Sequence, residues 1–279
     1  MTMRRFILLS IALALGVLLF GYLQATSSPR LRSAKIAVTD WPAGQPPLRL
    51  LLLSDLHVAG PDMPPGRLAG IVEQINALQP DLVLIAGDFV SDKRLSTHSY
   101  SAREMAAPLR LLRAPLGVVA VPGNHDHWRN AAAVAAALRA AGVRVLVNDA
   151  VRAGPLVVGG MDDSFTGHAR PEVTIERMRR LGGLKLVLSH SPDPFPDLPP
   201  DAPLMLAGHT HCGQIVLPLV GPLATMSRLG RRYRCGIIRE NGRALIVTAG
   251  IGTSILPIRI GAPPDMWLLE LAGRPPQRR

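Results

Sequence analysis

At 279 residues and 29.9 kDa, with 48% hydrophobic and 18% charged residues, the chain has enough apolar side chain for a full core, which excludes a disordered protein. A mean hydropathy of +0.22 is high for a purely soluble protein and points to membrane contact. Thirty-one Lys and Arg against twenty acids leave +11 and favour an anionic partner, whereas 4% aromatic residues are too few for base-stacking platforms, so no nucleic-acid partner is expected.

In chain order, Arg4 and Arg5 precede an uncharged apolar run of 18 residues, Phe6 to Leu23. As a helix it reaches roughly 27 Å, just enough to cross a bilayer core. The following Gln24-Ala25-Thr26-Ser27-Ser28 lacks a clean small-x-small cleavage site, which favours an uncleaved single-pass anchor over a signal peptide. Arg4 and Arg5 compete with Arg30, Arg32 and Lys35 beyond the run, so the positive-inside rule gives no orientation. Residues 1–25 are thus expected as anchor, 26–48 as a Ser- and Pro-containing linker, 49–271 as the main folded domain and 272–279 as a frayed tail.

From Arg49 onward, short apolar runs alternate with helix-like segments. Arg49–Ser54, Asp81–Ala86, Gly117–Val121, Lys185–Ser189 and Pro203–Ala207 read as strands buried on both faces. Gly66–Leu78 and Ala131–Ala141 have helical composition, and Ser101 with Glu104 forms a capping box for a helix running to Arg113. This alternation predicts an α/β core with a largely parallel sheet. Gly236–Ile238, Ala244–Thr248 and Met266–Leu271 read as strands of a second, mixed sheet packed on the first. The two cysteines, Cys212 and Cys235, exclude a disulfide framework or a thiolate zinc module; they read as buried packing thiols, a single bridge being the alternative.

Five of the apolar runs end in potential metal ligands: Asp55 and His57, Asp88, Asn124-His125-Asp126, His190, and His209 with His211. The carboxyl ends of strands in open α/β sheets form one rim, where sites assemble. A lone buried His or Asp is usually a hydrogen-bonded structural residue, but this ordered set uses five of the chain's eight histidines, each at a strand exit. Seven side chains (Asp55, His57, Asp88, Asn124, His190, His209 and His211) exceed what one divalent ion takes from protein. Shared over two ions with one bridging carboxylate, they leave positions for water and substrate, and such a pair can clamp both oxygens of an in-line displacement at phosphorus. Imidazole and carboxylate without thiolate suit manganese first, then iron or zinc, with magnesium behind.

The order Asp-x-His, Gly-Asp, Gly-Asn-His-Asp, His, Gly-His-Thr-His resembles the calcineurin-like metallophosphoesterase superfamily over about Arg49 to Leu271. The resemblance implies a four-layer α/β/β/α sandwich of two mixed sheets. It also implies that Asp55, His57 and His211 bind one metal, that Asp88 bridges, and that Asn124, His190 and His209 bind the other. By the same resemblance His125 is the catalytic histidine and Asp126 orients it. An imidazole there can protonate a leaving oxygen near neutral pH.

Within the superfamily the chain is most similar to the bacterial membrane-associated branch, through its hydrophobic N-terminus, Gly208–Gln214, Gly250–Ser254 and Pro257-Ile258-Arg259. That branch includes UDP-2,3-diacylglucosamine pyrophosphohydrolases of lipid A synthesis and exported phosphoesterases, so an inner-membrane location and a lipid-linked or nucleotide phosphodiester or pyrophosphate are expected. A phosphomonoesterase or protein phosphatase is the alternative, and a non-catalytic scaffold the third reading. Arg228, Arg231, Arg232 and Arg234 either contact headgroup phosphates or form a solvated loop. Asp162, Asp163, His127 and Trp128 fall near the site or in ordinary turns and packing, while His98 and His168 read as exposed loop residues.

Overall fold

In the computed structural model, which describes residues 3–273, two six-stranded mixed sheets stack face to face with helices on their outer faces. The first sheet runs Arg30–Val38, Asp265–Gly273, Leu48–Leu53, Leu82–Ala86, Val118–Val121, Arg144–Val145; the last four strands are mutually parallel. The second runs Gly236–Glu240, Arg243–Val247, Leu204–Ala207, Leu184–Leu188, Leu156–Gly160, Asp149–Ala153, with a parallel centre and an antiparallel strand at each edge.

Strand periodicity sorts the core into layers. In Leu48–Leu53, Leu50 and Leu52 face inward and pack with Leu84, Val158, Leu186, Leu206 and Trp267 between the sheets. Leu51 and Leu53 point outward, where Leu68, Ile71, Val72 and Ile75 of helix Pro65–Ala77 and Val134 and Leu138 of helix Ala131–Ala140 cover them. Ile175 and Met178 of helix Pro171–Leu181, with Phe195, cover Met205 and Leu245 on the outer face of the second sheet. The four-layer α/β/β/α architecture expected from the resemblance is the one observed.

Several boundaries differ from the sequence expectations. Residues 30–38, expected within a linker, form an edge strand parallel to Asp265–Gly273. Its Arg- and Ser-rich composition hides it, because most of its side chains face solvent and its partner lies at the far end of the chain. Met266–Leu271, expected in the second sheet, lies in the first between Arg30–Val38 and Leu48–Leu53. Conversely, Leu184–Leu188 and Leu204–Ala207 sit in the second sheet rather than extending the first. The strand ends at Gly273, inside the expected tail; the rest of that tail, 274–279, lies outside the described residues.

The capping box forms as expected, with the Ser101 amide donating to the Glu104 carboxylate (2.9 Å) and Glu104 N–H to Ser101 Oγ. The helix nevertheless ends at Ala106 and tightens into a 3-10 turn, Ala107–Leu111, because Pro108 lacks an amide donor. Cys212 and Cys235 are joined in a disulfide, so the bridge, not the free-thiol reading, holds.

Helix Met3–Ala25 is long and apolar enough to cross a bilayer. Its apolar side chains from Phe6 to Leu23 have little protein cover, but its last turn docks on the catalytic domain: Gly21 and Ala25 are buried. Gly21 O accepts the Arg259 amide (2.9 Å), and the Arg67 guanidinium donates to Ser27 O (2.8 Å). The junction after the helix is therefore fixed in place rather than a free tether.

Candidate metal centre

The strands Leu48–Leu53, Leu82–Ala86 and Val118–Val121 of one sheet and Leu184–Leu188 and Leu204–Ala207 of the other all discharge their C-terminal turns into one cleft. The sheets are stitched together there: His209 N–H donates to the Asp55 carboxylate (3.0 Å), and His190 Nδ1 donates to Ala86 O (2.7 Å). Asp55, His57, Asp88, His209 and His211 all have positive φ, a conformation that costs non-glycine residues energy and persists where the surroundings impose it. Side chains at Gly123 and Gly208 would overlap the carboxylates of Asp88 and Asp55, so only glycine lets the backbone approach this closely.

All seven expected ligand residues are buried and converge. His57 Nε2 lies 3.1 Å from His211 Nε2, and His211 Nε2 lies 3.3 Å from Asp55 Oδ1. On the other side, His190 Nε2 is 3.1 Å from Asn124 Oδ1 and 3.1 Å from His209 Nδ1. Asp88 Oδ2 stands between the two groups, 3.1 Å from His190 Nε2 and 3.5 Å from His57 Nε2. Atoms that share an ion at about 2.1 Å stand about 3.0–3.4 Å apart, so these separations fit divalent cations.

Protonation equilibria agree with that fit. Burial pushes His57 and His211 well below the ordinary imidazole value and His209 down to about 3, leaving neutral rings whose lone pairs are open. His190 Nδ1 donates to Ala86 O (2.7 Å), which points its Nε2 at the cluster. Against burial, Asp88 and Asp55 hold His190 well above its ordinary value; burial and the Asp88 charge push Asp55 up to about 6. The crowding of carboxylates is what a positive ion would relieve.

His125 sits at the cluster's rim, its Nε2 4.0 Å from Asp88 Oδ2, and its backbone N–H donates to Asp88 Oδ1 (2.9 Å). Asp126 does not orient the His125 ring. Its buried carboxylate accepts the backbone N–H groups of Asp88, Phe89, Val90 and Gly123 at 2.9–3.2 Å, and so fixes the turn that carries Asp88. Burial, with the Asp88 charge, pushes that carboxyl up to about 7 against these donors. The partner of His125 Nδ1 is Asp92, a residue the sequence reasoning missed. Its signal was available: Asp92 lies four residues after Asp88, in the same strand exit.

Arg259, fully buried, was visible only as part of a motif. Its Nη2 donates to Ala249 O (2.7 Å) and Gly252 O (2.6 Å) and lies 3.2 Å from His211 Nδ1, placing a fixed charge behind that ring. Around the mouth, Trp128 edges against His125 (centroids 4.7 Å apart) and Phe165 against His209 (4.7 Å), an aromatic wall of which the sequence suggested only Trp128. His127 Nε2 donates to Asp162 Oδ1 (2.7 Å) and the ring stacks on the exposed His168. Asp163 is buried and adds to the charge that raises His190. His98 is exposed and away from this set. Of the arginines, Arg232 pairs with Glu240 (2.7 Å), Arg228 lies 3.6 Å from Asp193, Arg234 donates to Cys212 O and Arg231 to Val220 O.

A two-sheet sandwich with paired acid–imidazole groups at the shared rim defines the metallophosphoesterase class of metal-dependent hydrolases. The chain belongs to the calcineurin-like phosphoesterase family, whose model matches residues 48–213. The phosphodiesterase YaeI of Escherichia coli (strain K12) is 33% identical over 236 residues, covering 81% of this chain and 82% of that protein. The metallophosphoesterase YkuE of Bacillus subtilis (strain 168) is 32% identical over 215 residues, 73% and 72% of the respective chains. A transmembrane protein with metallophosphoesterase domain from Danio rerio is 29% identical over 261 residues, 87% of this chain but 57% of that protein. The chain thus spans little more than half the length of that zebrafish relative.

Proposed function

We propose that the protein is a membrane-anchored, two-metal hydrolase of phosphodiester or pyrophosphate bonds in amphiphilic substrates. The observation that carries this reading is the Asp88 carboxylate, poised between His57 on one side and His190 on the other. Asp55, His57 and His211 would hold one cation, Asn124, His190 and His209 the other, and Asp88 would serve both. Manganese is the leading candidate on ligand chemistry. When bound, such a pair offsets charge on phosphoryl oxygens and supplies an ionised water at neutral pH. The chain's own residues do the rest. His125 stands beside the cluster with Asp92 on its Nδ1, which leaves Nε2 to donate to a phosphoryl oxygen or to protonate the leaving oxygen. Asp126 keeps Asp88 in register, and Trp128 and Phe165 wall the site beside it.

The docked base of helix Met3–Ala25 supports its retention as an anchor in a bacterial inner membrane. The Cys212–Cys235 bridge supports a catalytic domain on the oxidising side, where disulfides persist, with Arg4 and Arg5 left in the cytoplasm. That side favours a membrane-lipid phosphoester over UDP-2,3-diacylglucosamine, since nucleotide-linked precursors belong to the cytoplasmic pool.

Initial rates on a phosphomonoester, a phosphodiester and a UDP-linked lipid, each with manganese and with chelator, test the proposal. We expect chelator-sensitive, manganese-restored turnover, highest on the diester or pyrophosphate. Absent turnover on all three would overturn it in favour of scaffolding, and chelator-insensitive turnover would overturn the two-metal reading.

A further inference from the structure

The segment between the disulfide-linked cysteines contributes no side chain to the cluster, yet it is unusually apolar at its surface. Leu219, Val220, Leu223, Met226 and Leu229 are all exposed there, and the two-stranded turn Val216–Leu217/Gly221–Pro222 lifts Leu219 and Val220 to its tip. Exposed apolar side chains gathered in one segment mark a binding or membrane surface. Arg231 donates to Val220 O (3.0 Å), which sets a cation at the same tip.

Behind the patch lies a cavity of about 160 Å³, lined by His211, Ile215, Leu223, Met226, Ile255 and Leu256. One wall is therefore a residue of the metal cluster, and the rest is almost wholly apolar. Gln214 ties the two sides together, its amide donating to Ser254 O (3.0 Å) and Leu256 O (3.1 Å) and accepting from Ser254 N (2.9 Å). The cavity wall Ser254–Leu256 continues into Ile258 and Arg259, on which the membrane helix is docked. Gly21 O accepts the Arg259 amide, and a side chain at Gly21 would press on Ile258. The far neighbour of this stretch is the hairpin itself, since Val216 N–H donates to Ile260 O (2.7 Å). The helix base, the cavity wall and the apolar hairpin are consecutive layers, so the hairpin and the cavity lie where the helix leaves the bilayer.

We propose that this cavity is a subsite for the acyl chain of a membrane-lipid phosphoester, with the phosphate directed to the cluster past His211 and Leu219 and Val220 seated in the interface. The proposal rests on the reading of the cluster as a phosphoester-hydrolysing centre. A dry cavity of about 150 Å³ accepts a guest the size of benzene, so this one takes a short stretch of chain rather than a whole lipid. The remaining methylenes lie along the hairpin in the bilayer.

The test uses the full chain in vesicles of phosphatidylethanolamine and phosphatidylglycerol, part of the latter carrying a mid-chain diazirine. It also compares kcat/KM for dodecyl and methyl p-nitrophenyl phosphodiesters. We expect photo-crosslinks in 211–226 or 254–256 and a dodecyl preference on the order of tenfold or more. Ala224→Trp, which fills the cavity, and Ile255→Asp, a surface change that spares folding, are each expected to reduce that ratio several-fold at wild-type metal content. Crosslinks confined to 3–25 with equal rates on both esters would overturn the subsite. Crosslinks in the cavity without turnover of either ester would retain the subsite and overturn the hydrolase reading instead.

Discussion

The metal cluster and the disulfide-bounded segment 213–234 share a border at His211-Cys212 and could hardly be built more differently. The cluster is made of short turns, each anchored by a strand buried on both faces, and its side chains are held by one another and by backbone amides. The neighbouring segment is a long excursion with two-residue strands, exposed apolar side chains and a covalent clamp at its ends. Rigid strand exits suit chemistry that tolerates little displacement, whereas the excursion is free to fit its surroundings. Under the proposed reading the first region performs the chemistry and the second selects the substrate.

Perturbing the two regions should therefore give separable losses. The largest is expected from Asp88→Ala, which removes the carboxylate common to both groups. Turnover should fall by about a thousandfold or more, with metal stoichiometry by elemental analysis falling alongside. Full metal occupancy in this variant would mean that the two groups do not share it. Next, His125→Ala should lower kcat by about a hundredfold to ten-thousandfold while metal content stays near wild type. Loss of both metals there would show that His125 is a ligand.

Asp92→Asn should cost about ten- to a hundredfold in kcat with little change in KM, because it acts through the orientation of His125. An effect confined to KM would place Asp92 on the substrate instead. The smallest effect on chemistry is expected on the other side of the border. Cys235→Ser should lower unfolding stability by about 3 kcal/mol, as for closing a loop of 23 residues, measured by thermal or denaturant unfolding. Hydrolysis of a short soluble ester should survive that change far better than it survives Asp88→Ala. A collapse of metal binding in the serine variant would erase the distinction between the regions.

The same contrast explains which parts of the protein were legible. Asp55, His57, Asp88, Asn124, His190, His209 and His211 could be picked out because each follows a run of buried-strand residues, and that coupling of apolar run to polar exit is local. The partner of His125 was misjudged because the motif carried over from the resemblance named Asp126. On a helical turn that carboxylate points back to the amides of Asp88 and Gly123, while Asp92 arrives from a different strand. Likewise the strand Arg30–Val38 could not be seen, since its exposed, Arg-rich side chains carry little periodic signal and its ladder partner is Asp265–Gly273.

The sequence alone determined the class of chemistry, the α/β core and an apolar helix of membrane-crossing length, because burial pattern and ligand type are properties of short segments. Only the tertiary structure decided that Cys212 meets Cys235, that the helix base locks onto Arg259, and that an apolar cavity opens beside His211. Those features depend on which distant segments touch, and no local preference encodes the closure of loops 23 to more than 200 residues long.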